Sequence, residues 1–309
     1  MVVGHHHNHC HGSVRETGKS RLRVILVLTS FFFVVEVLGG LWTNSLALLS
    51  DAGHMLSDMF ALGLSLFAFW LSSKKPSSTK TYGYYRFEVV AAFINGVLLV
   101  LIALWIFGEA YGRFQEPTMV KSMPMLFIAI LGLTINLLGI YLLHEAGAAN
   151  LNVRGALFHL MGDAAGSVGA ITAAVVISVT GWTFFDPLVS VLIGLLIIYS
   201  AWRLLWDVVN ILMQGVPAHI DLDHIKQAML SVEGVTGLCD LHIWSLTSQV
   251  DSLSAHVVVE DMTRNKEILQ KLTRLINDEF AINHVTLQIE DEGVGTCKLF
   301  LEKQSPRLP

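Results

Sequence analysis

Two short patterns place a histidine and a carboxylate four residues apart, within stretches otherwise rich in Leu, Ala, Val, Gly and Phe. The first is His54-Met-Leu-Ser-Asp58 and the second is His159-Leu-Met-Gly-Asp163. On an α-helix, residues four positions apart lie on one face, about 5–6 Å from each other, so each pair can hold one side of a small cation. We therefore interpret His54, Asp58, His159 and Asp163 as the four ligands of one metal site.

The chemistry of these ligands favours zinc. Four nitrogen and oxygen donors suit tetrahedral Zn2+, whereas Mg2+ and Ca2+ prefer six or more oxygens. Metal binding requires neutral imidazole and ionised carboxylate, so protons compete for the same side chains, and histidine titrates near neutral pH. Such a site could exchange metal for protons. The alternative is that each histidine is only hydrogen-bonded inside a helix bundle, but the repeated spacing disfavours it.

The composition predicts the elements that position these residues. The chain has 309 residues, of which 53% are hydrophobic and 15% charged, as in a multi-span membrane protein. About 20 apolar residues cross one bilayer. Six spans are predicted near residues 23–43, 46–71, 88–112, 124–145, 155–180 and 187–213.

The distribution of basic residues predicts the orientation. They cluster before the first span, between the second and third, and before the fifth, so these parts are expected in the cytoplasm. The residues are Arg15, Lys19, Arg21, Arg23, Lys74, Lys75, Lys80, Arg86 and Arg154. Six spans then place both termini in the cytoplasm. The polar start lacks the apolar core of a secretory signal. Compact loops favour a bacterial inner membrane, with a vesicle membrane as the alternative.

The composition changes at Gly215-Val216-Pro217, after which charges become frequent. We predict a His-rich cytoplasmic arm over 1–20, a six-helix transmembrane domain over 21–214 and a cytoplasmic α+β domain over 215–309. In the last, the pattern indicates a helix at 221–231, strands at 235–245 and 251–260, a helix at 264–280 and a strand at 284–290.

The N-terminal arm is a second place where metal could bind. Imidazole and thiol groups from His5 to His11, including Cys10, could collect Zn2+ or Cu+, although a leftover purification tag is the alternative. The three cysteines, Cys10, Cys239 and Cys297, fall in predicted cytoplasmic parts, so we expect no disulfide.

Other polar residues within the predicted spans have several possible roles. Asp51 lies one turn before His54 and could relay protons, line the mouth of the site or lie at the interface. Glu36 and Glu109 are interpreted as packing or interfacial groups, and Asn136 has no assigned role.

Two classes of partner are excluded. The net charge of −5, without a basic stripe, argues against nucleic acid. Gly18-Lys19-Ser20 is similar to the end of a phosphate loop, but the glycine spacing does not fit and no strand precedes it, so no ATP site is predicted.

The motifs together resemble those of cation diffusion facilitators, in particular the bacterial zinc efflux and vesicular zinc transporter branch. The segments that carry the resemblance are Ser45-Leu-Ala-Leu-Leu-Ser-Asp51-Ala-Gly-His54-Met-Leu-Ser-Asp58, Tyr82-Gly-Tyr-Tyr-Arg86-Phe-Glu88, His159-Leu-Met-Gly-Asp163-Ala-Ala-Gly-Ser-Val-Gly-Ala170 and Asp240-Leu-His-Ile-Trp-Ser-Leu246. The resemblance implies a homodimer that exports zinc, and in some members cadmium or cobalt, in exchange for protons. It also implies a ferredoxin-like cytoplasmic domain similar to copper chaperones.

The same resemblance implies a regulatory zinc site in the cytoplasmic domain. His242, His256 and Glu290 match positions that often hold metal in the family, with Cys239 and His284 beside them in sequence. In some vesicular members an N-terminal His-Cys-His segment of the partner completes this site, and the segment containing Cys10 and His11 is similar to it. Gln288 replaces a histidine found in other members, so the number of bound ions stays open.

Two other function classes compete with transport. An intramembrane zinc hydrolase would use the metal to activate water, but His-Glu-x-x-His is absent and four protein ligands leave no open position. A zinc sensor or structural zinc protein would bind metal without moving it. Metal flux across a sealed membrane separates these alternatives.

Overall fold

The fold is described from a computed structural model, which describes residues 10–72, 74, 77–144, 151–247 and 250–291. Within these ranges the side chains of some helical residues lie outside the description, among them those of residues 10–26 and of His159.

Six long helices form the first two thirds of the chain. They are α1 (Cys10–Thr43), α2 (Leu46–Ser72), α3 (Phe87–Gln115), α4 (Ser122–His144), α5 (Leu151–Thr180) and α6 (Phe185–Leu212). Four described stretches are long and apolar enough to cross a membrane, namely Phe87–Gln115, Ser122–Leu142, Leu160–Thr180 and Phe185–Leu212, and a shorter apolar helix covers Val27–Thr43. The predicted combination of a helical membrane domain with a small α+β domain is confirmed.

The chain divides into two compact units. One comprises Met1–Gly63 with Asn95–Trp202, and the other comprises Leu64–Ile94 with Arg203–Pro309. This division runs through α2, α3 and α6.

Small side chains make up half of the core of the first unit. Its buried cluster combines seven alanines with seven larger apolar residues. Small residues let membrane helices approach one another closely. The alanines are Ala47, Ala103, Ala129, Ala170, Ala173, Ala174 and Ala201. Close helix packing is what brings polar groups of different helices together in this unit.

The C-terminal part of the second unit contains a three-stranded sheet with two helices. Its elements are α7 (Leu222–Leu230), β1 (Val235–Thr247), β2 (Val250–Val259), a 3-10 turn (Met262–Arg264), α8 (Asn265–Phe280) and β3 (His284–Asp291). The strand order is β1-β2-β3, with β1 and β2 antiparallel and β2 and β3 parallel. The predicted order of helix, strand, strand, helix and strand is confirmed.

Local sequence signals explain the helix boundaries here. Asp221 caps α7, since its carboxylate accepts hydrogen bonds from the backbone N–H groups of Asp223 and His224. Helix α8 ends at Phe280 and is capped by Ala281, which adopts a left-handed conformation with φ 56°. The apolar stripe of α8 completes the core on the sheet through Ile268, Leu272 and Ile276.

Candidate metal-transport site

Helices α2 and α5 carry the four predicted ligands. His54 and Asp58 lie on α2, and His159 and Asp163 lie on α5. The Nε2 atom of His54 lies 3.7 Å from Oδ2 of Asp58 and 3.9 Å from Oδ1 of Asp163. The structure therefore brings three of the four residues together across two helices, while the side chain of His159 lies outside the description.

These distances are slightly wider than those around a bound zinc ion. Bonds of about 2.0–2.1 Å in a tetrahedron separate neighbouring ligand atoms by about 3.3–3.4 Å. The observed separations are a few tenths of an ångström wider, and within the described residues no group of three or more metal-ligating side chains is already gathered around one point. Binding would need these side-chain atoms to approach one another by a few tenths of an ångström.

The three described ligands differ in access. The side chain of Asp163 is 5% exposed, whereas those of His54 and Asp58 are 26% and 35% exposed. A cation could reach the α2 pair first and then contact the buried carboxylate of α5.

A second carboxyl pair lies beside these ligands. Glu36 on α1 and Asp51 on α2 are only 1% and 4% exposed, and their carboxyl groups are in hydrogen-bonding contact. Asp163 lies close enough for its charge to act on both of these groups. Both groups are buried and face each other, which agrees with the packing alternative for Glu36, and the role of Asp51 stays a prediction. Asn136 on α4 is buried as well.

The start of α2 is held by a residue of another helix. Asp186, in the first turn of α6, accepts hydrogen bonds from the backbone N–H groups of Leu46 at 2.7 Å and Ala47 at 3.2 Å, and from Oγ of Ser45 at 2.6 Å. Arg113 of α3 donates to the same carboxylate at 3.3 Å. The helix that carries His54 is thus fixed at its first turn.

Arg113 extends this network to Asn44 and to Glu109. Its guanidinium also donates to the backbone carbonyl of Asn44 at 2.6 Å and to Oε1 of Glu109 at 3.1 Å. Glu109 is half-exposed, in agreement with an interfacial role. Sequence reasoning missed Asp186 as a structural residue, and the available signal was an acidic residue in the first turn of an apolar helix.

The cytoplasmic candidates form a chain of contacts on the sheet. Nδ1 of His256 lies 2.6 Å from Oε1 of Glu290, and Nε2 of Gln288 donates to the same oxygen at 2.8 Å. Asp240 joins the two histidines, with Oδ1 2.8 Å from Nε2 of His242 and Oδ2 3.8 Å from Nε2 of His256. Sequence reasoning missed Asp240.

An irregular strand explains the position of Asp240. Strand β1 changes register between Cys239 and His242, and Asp240 has φ 52°, a conformation that asparagine and aspartate adopt more readily than most residues. The irregularity turns the Asp240 carboxylate toward both histidines, which a regular alternation of side chains does not predict.

Cys239 and His284, the two further predicted ligands, do not contribute a thiolate or an imidazole to this cluster. Cys239 is paired in register with His256, but it is disulfide-bonded, so our expectation of no disulfide is wrong and its sulfur is not a thiolate. His284 pairs with Ser252, four residues before His256 on β2, which is about 13 Å along a strand. Instead, His284 contacts the ring of Tyr82 at 5.5 Å between centroids.

The N-terminal candidates cannot be placed. Cys10 and His11 begin α1, but their side chains lie outside the described residues, as do residues 1–9. Their proposed role as metal ligands stays a prediction.

Comparison with known proteins decides the family. The profile described as "Cation efflux transmembrane domain" matches residues 22–213, and the profile described as "Cation efflux protein, cytoplasmic domain" matches residues 217–292. The chain belongs to the cation efflux family. The resemblance to cation diffusion facilitators is confirmed, and the chain is an integral membrane protein rather than an enzyme.

Curated members of the family align with nearly the whole chain. The "Cadmium, cobalt and zinc/H(+)-K(+) antiporter" of Bacillus velezensis is 43% identical over 293 residues, covering 93% of this chain and 92% of that protein. The "Metal cation efflux system protein CzcD" of Cupriavidus metallidurans is 41% identical, covering 94% and 90%. The "Zinc transporter ZitB" of Escherichia coli is 39% identical, covering 93% of each.

One solved structure matches the cytoplasmic part in sequence. The metal-bound C-terminal domain of the CzcD transporter is 41% identical over 23% of this chain and 99% of that structure, with a TM-score of 0.22.

Proposed function

We propose that the chain exports Zn2+ from the cytoplasm in exchange for protons, by alternating access at His54, Asp58, His159 and Asp163. The observation that supports this most strongly is the approach of His54 on α2 to Asp163 on α5, at 3.9 Å. Ligands on two different helices can be separated and rejoined by small helix movements, as alternating access requires.

The competition between metal and protons couples the two fluxes. Zinc binds neutral imidazole and ionised carboxylate, so its arrival releases protons and protonation expels it. A proton gradient across the membrane then drives zinc uphill, with each charge contributing about 2.3 kcal/mol per 100 mV. The names of relatives include cadmium and cobalt, which we propose as further substrates, and K+, which we propose as a second counter-ion to test.

The remaining predictions complete this proposal. The chain acts as a homodimer in a bacterial inner membrane, with both termini in the cytoplasm and with the arm 1–20, the membrane domain 21–214 and the cytoplasmic domain 215–309. We propose that His242, His256, Glu290 and Asp240 hold a regulatory zinc ion. The contacts of 2.6–3.8 Å that link these groups support it.

Zinc uptake into proteoliposomes with an imposed pH gradient tests the transport proposal. Internal zinc and internal pH are recorded together for the wild-type chain and for Asp163→Ala, with and without K+. Opposite, coupled fluxes of zinc and protons are expected in the wild type, and no zinc flux is expected in Asp163→Ala although the variant stays folded. Zinc binding without flux in the wild type would instead support the sensor or structural alternative.

A further inference from the structure

Helix α2 presents neighbouring strips of its surface to different helices. A Cβ atom on Gly53 would lie 3.0 Å from Cγ2 of Ile102, so this side of α2 rests closely on α3. Successive residues turn by 100° around a helix, which places Ser57 only 40° from Gly53 and places His54 and Asp58 100° and 140° from it. The strip that contacts α3 therefore lies next to the strip that carries the metal ligands.

A hydrogen bond joins the first strip to α3 at the level of the site. Oγ of Ser57 donates to Oδ1 of Asn95 at 3.1 Å, and the two residues are 0% and 6% exposed. Ser50, equally buried on the same helix, donates to the backbone carbonyl of Leu46 in its own helix instead. The bond from Ser57 thus constrains α2 relative to α3 in a way that the bond from Ser50 does not.

We infer that Asn95 is a positioning residue that sets metal selectivity by fixing, through Ser57, the rotation of α2 about its own axis. This inference rests on the proposed transport site. Ser57 and Asp58 are consecutive, so any rotation that Asn95 prevents would displace Asp58 and His54 relative to Asp163.

Small rotations matter at this site. Side-chain donors lie roughly 6 Å from the axis of a helix, so a rotation of 10° moves them by about 1 Å. Zinc bonds to nitrogen and oxygen vary by only about 0.2 Å. A freely rotating α2 would hold Zn2+ less well and would accept a larger ion such as Cd2+ more readily. Asn95 is not one of the four proposed ligands, and its printed side-chain bond is to Ser57, so we assign it an effect on selectivity through the position of α2.

The test compares four variants in proteoliposomes, namely Asn95→Ala, Ser57→Ala, the double variant and the control Ser50→Ala. Zinc and cadmium fluxes give kcat and KM for each metal. We expect the zinc-to-cadmium ratio of kcat/KM to fall roughly 3- to 10-fold in each single variant, the range of one neutral hydrogen bond. In the double variant this ratio should be no lower than in a single variant. The change should arise mainly from a higher KM for zinc, and Ser50→Ala should keep the wild-type ratio.

Three results separate failure of this inference from failure of the proposed function. Absence of coupled flux in the wild type contradicts the proposed function. Normal wild-type flux, lost in Asp163→Ala but with an unchanged metal ratio in Ser57→Ala, overturns the inference alone. Additive effects of Asn95→Ala and Ser57→Ala would also overturn it, because the two residues would then act independently. Thermal unfolding of each variant identifies any that fails to fold. If Asn95→Ala fails to fold, the metal ratio of Ser57→Ala, which removes only one hydroxyl group, decides the question.

Discussion

Gly166 on α5 leaves space for the carboxylate of Asp51 on α2. A Cβ atom at Gly166 would lie 3.1 Å from Oδ1 of Asp51, which is tighter than ordinary van der Waals contact. Asp51 is also in hydrogen-bonding contact with Glu36. The absence of a side chain at Gly166 therefore lets α2 and α5, which carry the proposed ligands, lie close together one turn from His54.

Adding a methyl group at this contact should impair transport. Gly166→Ala forces Asp51 or α5 to shift, and overpacking of this kind costs about 1–3 kcal/mol. We expect a lower unfolding temperature and a several-fold slower zinc flux in proteoliposomes. Gly162→Ala is the matched control on the same helix, because among the described residues no atom beyond its own helix backbone and chain neighbours lies within 4 Å of its added Cβ. Equal behaviour of the two variants would show that the contact with Asp51 is unimportant.

Changing one ligand should change metal preference. His54→Asp replaces the imidazole with a carboxylate and makes the ligand set all-oxygen on α2, which favours harder ions such as Mn2+ over Zn2+. The expected result is a lower ratio of zinc to manganese transport in a competition assay. An unchanged ratio would mean that the surrounding geometry, and not the ligand type, decides selectivity.

The carboxylate that caps α2 should contribute strongly to stability. Asp186→Ala removes the acceptor for the N–H groups of Leu46 and Ala47, and loss of a helix cap costs about 0.5–2 kcal/mol. It also removes a buried partner of Arg113. We expect Asp186→Ala to lower the unfolding temperature of the purified protein clearly. The unfolding temperature of Asp186→Asn should lie between those of Asp186→Ala and the wild type. Asp207→Ala, an exposed carboxylate on the same helix, should have little effect.

The first turn of α8 offers a prediction about pH. Hydrogen bonds from Lys271 and Arg264 lower the pKa of Glu267 to about 2. A lowered folded-state pKa means that the ionised carboxylate stabilises the fold above its unfolded pKa, near 4.3, and that this benefit is lost as pH falls through about 2. Glu267→Gln should therefore lower the unfolding temperature slightly at pH 7, and the difference from wild type should shrink between about pH 4 and 2.

A second glutamate of α8 provides the control. Glu279 forms no ion pair with the described residues. Glu279→Gln should therefore change the unfolding temperature only slightly, and by the same amount at pH 7 as at pH 2. A difference between Glu267→Gln and wild type that is constant from pH 7 to 2 would contradict the assigned ion pairs.

Local patterns predicted much of this protein. Helix geometry predicts that His54 and Asp58, four residues apart, lie on one face of α2. Capping residues and the alternation of apolar and polar residues predict the helices and strands from Asp221 to Asp291. These features depend on residues close together in the chain, where periodicity and capping rules apply directly.

Contacts between distant segments could not be predicted in the same way. The bond from Leu46 to Asp186 joins residues 140 positions apart, and nothing in either segment specifies the other. The position of Asp240 depends on an irregular register in β1, and the pairing of Glu36 with Asp51 depends on how two helices meet. Such features arise from tertiary packing, which a single sequence reports only weakly.

Under the proposed function, the short turn between α1 and α2, with Asn44 at φ 56°, would set the depth of the ion in the membrane. His54 follows Ser45 by nine residues, or about 14 Å along a helix. That is close to half of a hydrocarbon core of about 30 Å. An ion bound at His54 would therefore feel roughly half of the transmembrane voltage on its way in and the other half on its way out, so that membrane potential would act on loading and release to similar extents.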